Sequence, residues 1–143
     1  MKFEKFSQKV LIILKGCAIM NVQKEKGAIT MLLEFSCSNH KSIKDKVVFS
    51  LIASKDTTNE ELLYNFGTIN VLKNAVVYGA NGSGKSNLID SMLFVKNLVI
   101  NSINYQPGDG IRQTPHKLAG FQEDSIYSIQ FVTKNTRYAF GFS

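Results

Sequence analysis

Apolar and polar positions alternate in four stretches of the chain, and between them the period lengthens once. Over residues 32–38, Leu33, Phe35 and Cys37 fall on one face. Over residues 46–53, Val47, Phe49 and Leu51 do the same. A polar connection at 39–45 separates them, so the pattern predicts two antiparallel strands joined by a longer loop. Residues 54–63 are polar and read as a loop with a helical turn. Residues 66–72 read as a short strand or an approach to the next one. Asn74, Ala75, Val76, Val77 and Tyr78 then form an apolar run, predicted as a strand buried on both faces. After it, Leu88, Met92, Val95 and Val99 recur at helical spacing over 86–101, with Ile89, Leu93 and Ile100 beside them. Residues 104–120 are rich in turn formers, with Pro107-Gly108-Asp109-Gly110 at their centre. Alternation returns with Tyr127, Ile129 and Phe131 over 125–133, and with Tyr138, Phe140 and Phe142 over 136–142. Lys134-Asn135 supplies the hairpin turn between these two strands.

The junction between the apolar run and the helix carries the chemistry. Gly79, Ala80, Asn81, Gly82, Ser83, Gly84, Lys85 and Ser86 fit G-x-x-x-x-G-K-[ST], the phosphate-binding P-loop. Successive backbone N–H groups in such a loop turn inward and form a concave anion site. Gly82 and Gly84 allow that path and leave no Cβ between loop and phosphates. Lys85 is placed to reach the β- and γ-phosphate oxygens, and Ser86 can offer its hydroxyl to Mg²⁺. The helix that starts here adds the partial positive charge of its N-terminus. Strand, loop and helix in this order give the motif its expected context.

Bulk composition narrows the partners. The chain has 143 residues and a net charge of +6. Residues 1–30 hold six Lys and two Glu, so most of the excess lies there, and the remainder gives no electrostatic footprint for DNA. Nucleic acid therefore stays open as a partner without support from charge. The aromatic stripes follow the strand period and read as core, not as stacking platforms for bases. No apolar run approaches the ~18 residues that span a bilayer. Residues 10–14 are apolar, but the run is too short for a secretory leader and Lys15 interrupts it. Residues 1–30 are expected to be an N-terminal extension outside the core, with Met31 as the natural start and 31–143 as the domain. Cys17 and Cys37 lack metal or redox spacing and read as reduced thiols of a cytoplasmic protein.

Two runs carry a resemblance. They are Met31-Leu-Leu-Glu-Phe-Ser-Cys-Ser-Asn-His-Lys-Ser-Ile43 and Ala75-Val-Val-Tyr-Gly-Ala-Asn-Gly-Ser-Gly-Lys-Ser-Asn-Leu-Ile89. Together they resemble the N-terminal part of AAA-type ATPases built like ABC and SMC heads, the overcoming-lysogenisation-defect and abortive-infection type. The resemblance covers 31–143. It implies an α/β P-loop NTPase fold: a partial ATPase head with antiparallel strands flanking the P-loop strand and helix. It also implies ATP and Mg²⁺ as cofactors and a head-to-head homodimer in the intact protein. In the family a basic residue after an Asn-Phe pair approaches the nucleotide. Here Lys41 follows Asn39-His40, and a nucleotide role and a solvated loop lysine are equal readings. His40 and His116 read as loop histidines, and Asp90 as a helix-surface carboxylate, not a Mg²⁺ ligand. Gln113, Gln122 and Gln130 are alternatives for a Q-loop glutamine.

No apolar strand ending in Asp-Glu follows Ser86, and no Ser-Gly-Gly signature is present. The expectation is an incomplete lobe that binds ATP without turning it over, with no catalytic residue of its own. Alternatives are a truncated, non-catalytic nucleotide-binding fragment and another P-loop protein such as a small-molecule kinase or a GTPase. The GTPase reading lacks Asn-Lys-x-Asp, and the kinase reading has only Arg112 and Arg137 after the helix.

Overall fold

A computed structural model describes residues 23–25, 28–54, 59–106, 110–111, 113–118 and 123–143. Its centre is an antiparallel sheet. The strands are β1 (Gln23–Glu25), β2 (Ala28–Ser38), β3 (Val47–Ser50), β6 (Ile126–Thr133) and β7 (Thr136–Phe142). β6 lies along one side of the eleven-residue β2, and β7 pairs with the far side of β6. β1 and β3 share the other side of β2, with β1 against residues 28–30 and β3 against residues 34–37. A separate two-stranded hairpin joins β4 (Leu63–Asn65) and β5 (Asn70–Leu72). A 3₁₀ turn at Glu60–Leu62 precedes it, as the polar loop predicted.

The alternating side chains explain the registers. Phe35 stands opposite Ile129 and Phe49, and Cys37 stands opposite Tyr127 and Val47. Ile129 is opposite Phe140, and Phe131 is opposite Tyr138, whose ring stacks on it at 5.1 Å. Each apolar set thus lands on one face, because strand side chains repeat every two residues. Leu33 is an extra residue in β2, since Leu32 pairs with Phe131 and Glu34 with Gln130. This bulge lets Met31, Leu32 and Leu33 all be buried in succession. Lys134 and Asn135 both have positive φ, 50° and 57°, the two-residue turn whose twist matches the flanking strands.

The helix α1 spans Lys85–Asn101 and buries Leu88, Ser91, Met92, Val95 and Val99, the predicted stripe. These side chains join the strands in one hydrophobic core. Ser91 is fully buried where helix and sheet approach closely: its hydroxyl donates to Leu88 O at 2.7 Å and faces Cys37 Sγ at 3.4 Å. Burial of a large apolar side chain contributes roughly 1.5–3 kcal/mol, so this stripe holds the helix on the sheet.

The P-loop strand is a correction to the sequence reading. Residues 74–78 form no strand, and Val76 and Tyr78 are 83% and 90% exposed. A central strand needs hydrogen-bonded neighbours on both sides. Every strand pairing among the described residues is antiparallel, and none includes 74–78. The apolar run therefore has no ladder there, and within it Ala75 alone is partly covered by the core. The turn formers at 107–109, Cys17 and Gln122 lie outside the described residues.

Candidate functional site

The P-loop residues sit together on the surface where the chain turns into α1. Gly82 and Gly84 adopt φ of 81° and 89°, the left-handed region that costs glycine least. Gly84 is the N-cap of α1 and provides no capping side chain. The first N–H groups of the helix have no partner within it and point outward at this end. A Cβ on Gly79 would lie 3.0 Å from Ser83 Oγ, so only glycine fits without displacing that hydroxyl. Lys85 curls back over the loop. Its ammonium donates to Gly79 O at 2.8 Å and Ala80 O at 2.6 Å, with Ser83 Oγ at 3.3 Å. The cation is thus held at the mouth of the loop. Asn81 and Ser86 are exposed beside it. One hydroxyl at a helix start suits Mg²⁺, which takes few protein ligands and completes its octahedron with phosphate oxygens and water.

A second group of residues reaches the same helix from the sheet. β2 ends at Ser38, and the chain reverses through a tight turn in which His40 and Ile43 exchange backbone hydrogen bonds at 2.8 Å. Asn39 and Lys41 have φ of 52° and 51°. The 2%-exposed Asn39 fastens the turn to the segment before β6. Its Oδ1 accepts from His116 N–H at 2.7 Å, its Nδ2 donates to Glu123 O at 2.7 Å, and its own carbonyl accepts from Ser125 Oγ. Lys41 N–H donates to Thr114 O. An open cleft of about 560 Å³ lies between turn and segment, lined by Lys41, Ser42, Thr114, Pro115, His116 and Lys117.

The turn meets α1 through Asp90. Its Oδ2 accepts from Lys41 Nζ at 2.7 Å and from His40 Nε2 at 3.0 Å. The Lys41 ammonium, aided by His40 against the opposing cost of desolvation, holds the Asp90 carboxyl below its ordinary range. Because the carboxylate only accepts, Nε2 of His40 carries the proton, and Nδ1 takes the hydrogen of Tyr127 O–H at 2.8 Å. Burial pushes the Tyr127 phenol up to about 12, so it stays a donor. Burial also pushes the Cys37 thiol up, partly offset by Ser91. The His40 ring is fixed between Phe94 and Tyr127, at centroid distances of 6.0 and 5.8 Å. Nearer the P-loop, Asn87 Nδ2 donates to Ser42 Oγ, and that oxygen would lie 3.6 Å from a Cβ on Gly84.

His40 lies in the turn as expected but is buried there and bridges Tyr127 and Asp90. Asp90 is a partly exposed helix carboxylate, and it pairs with Lys41 and His40. Gln130 bonds Glu34 and Arg137 on the sheet. Gln113 is exposed. His116 belongs to the cleft. The sequence signal for the bridge was the run of polar residues at 39–42 between two apolar strands, but nothing local pairs it with residues 90 and 127. Among the described residues no three His, Cys, Asp or Glu cluster as a metal site. No helix among them is long and apolar enough to cross a membrane.

A glycine-rich loop with the P-loop spacing opens a sheet-packed helix, the arrangement expected of a P-loop NTPase site. Residues 75–143 match the family model described as "AAA domain, putative AbiEii toxin, Type IV TA system". That likeness supports an AAA-type P-loop NTPase over these residues and nucleotide binding by it. The chain matches no curated protein and no solved structure.

Proposed function

We propose that the chain binds ATP with Mg²⁺ at residues 79–86, as the Walker A part of an ATPase head of the ABC/SMC-like kind. The observation that carries this reading is the loop itself: two left-handed glycines, an outward helix N-terminus and the Lys85 ammonium at its mouth. Lys85 supplies charge to the β- and γ-phosphates and Ser86 would hold Mg²⁺, while the Lys41 charge is already paired with Asp90. Mg²⁺ held at Ser86 would screen the phosphate charge. Water-activating carboxylates and a second head completing the γ-phosphate site would come from an intact, cytoplasmic homodimer, in which the sheet and α1 form part of one head; that sheet includes residues 23–25 and 28–30, upstream of the expected start at Met31.

Lys85→Ala tests the reading by calorimetry with Mg²⁺–ATP. A charge-assisted contact is worth ~1.5–3 kcal/mol, which is about ten- to a hundredfold in affinity. The lower end is expected, because Lys85 exchanges existing carbonyl contacts for phosphate. Ser86→Ala weakens only the Mg²⁺-dependent part. Wild-type affinity in Lys85→Ala would refute the assignment.

A further inference from the structure

We infer that His40 and Asp90 are positioning residues of the nucleotide site: they lock the turn at 39–43 against the first turns of α1 and so set the shape of the P-loop without touching the ligand. The inference rests on the ATP-binding reading and extends it to residues outside the motif.

The geometry makes the lock specific. Asp90 stands one helical turn beyond Ser86, and a single oxygen of it takes both neighbouring side chains of the turn. Lys41 is 39% exposed and could be replaced by water at that oxygen, whereas His40 is 1% exposed and could not. The imidazole is also held from behind by Tyr127 on β6. A rigid line therefore runs from the sheet through Tyr127, His40 and Asp90 to the helix. A second contact, Asn87 to Ser42, joins the same turn to the helix closer to Gly84. Loss of the bridge frees the helix start to shift relative to the turn, and the nest N–H groups shift with it. An anion site made of converging N–H groups loses affinity when they diverge. Packing alone predicts something different: an apolar ring at position 40 would keep the contacts with Phe94 and Tyr127 and leave the ligand site unchanged.

The test uses the full chain and calorimetry with Mg²⁺ and the β,γ-imido analogue of ATP, at a temperature where circular dichroism shows every variant folded. His40→Phe keeps the ring, and Asp90→Leu keeps the volume while removing the acceptor. Each is expected to weaken binding about tenfold, the loss of one hydrogen bond to a charged group. The double variant should bind no more weakly than either single one, since both remove the same link. His40→Gln restores a donor toward Asp90 and should bind within about twofold of wild type, because it remakes that single bond. Folded His40→Phe or Asp90→Leu with wild-type affinity, or a His40→Gln as weak as His40→Phe, would overturn the inference. Lys85→Ala is run alongside. If it binds normally, the ATP-binding reading itself fails; if it loses binding while the bridge variants do not, only the positioning role fails.

Discussion

Gly84→Ala separates backbone conformation from packing at the loop. Gly84 has a φ of 89° and caps α1, and a Cβ there would meet only Ser42 Oγ, at 3.6 Å, an ordinary contact. Steric overlap therefore contributes nothing, and the whole effect is conformational. An L-residue held in the left-handed region costs roughly 1–2 kcal/mol relative to glycine. If the loop keeps its shape, that cost appears as lost stability. If it relaxes toward the helical region, the binding-competent shape becomes a minor state, and apparent affinity falls by the same free energy, about 5- to 30-fold. Urea unfolding and nucleotide calorimetry on one preparation read both channels, and their losses should together account for the conformational cost. Gly110→Ala is the control. Gly110 has open space around it and no left-handed φ, so the substitution should stay within about 0.5 kcal/mol of wild type. A Gly84→Ala protein with unchanged stability and unchanged affinity would refute the reasoning.

Two further outcomes follow from the packing and the charges. Phe131 is fully buried between β2 and β7, so Phe131→Ala should cost about 3–5 kcal/mol in urea unfolding, a large share of a small domain's stability. Asp90 has its carboxyl held below the unfolded value, so its stabilising contribution is present above the unfolded carboxylate range and is lost as pH falls through the depressed folded value. The stability gap between wild type and Asp90→Asn should therefore be small at neutral pH, within about 1 kcal/mol for a partly exposed pair, and should close on acidification. A gap that widens as pH falls would contradict that sign.

The sequence by itself determined the elements whose signals are local. The stripe from Leu88 to Val99 fixed both the helix and its buried face, because 3.6-residue periodicity needs no partner to be visible. Period-two alternation fixed β6 and β7, and Lys134-Asn135 fixed the turn between them. The glycine and lysine spacing marked the candidate phosphate loop, since its requirements are conformational and lie within eight residues. Tertiary structure decided the rest. Residues 74–78 are as apolar as a central strand, but strand formation depends on neighbours, and no ladder reaches them among the described residues. The bulge at Leu33 came from matching β2 to β6, which neither strand specifies alone. The bridge from Tyr127 through His40 to Asp90 spans 87 and 50 residues of separation. A histidine's role is set by what its two nitrogens meet, and only the folded chain brings a phenol to one and a carboxylate to the other.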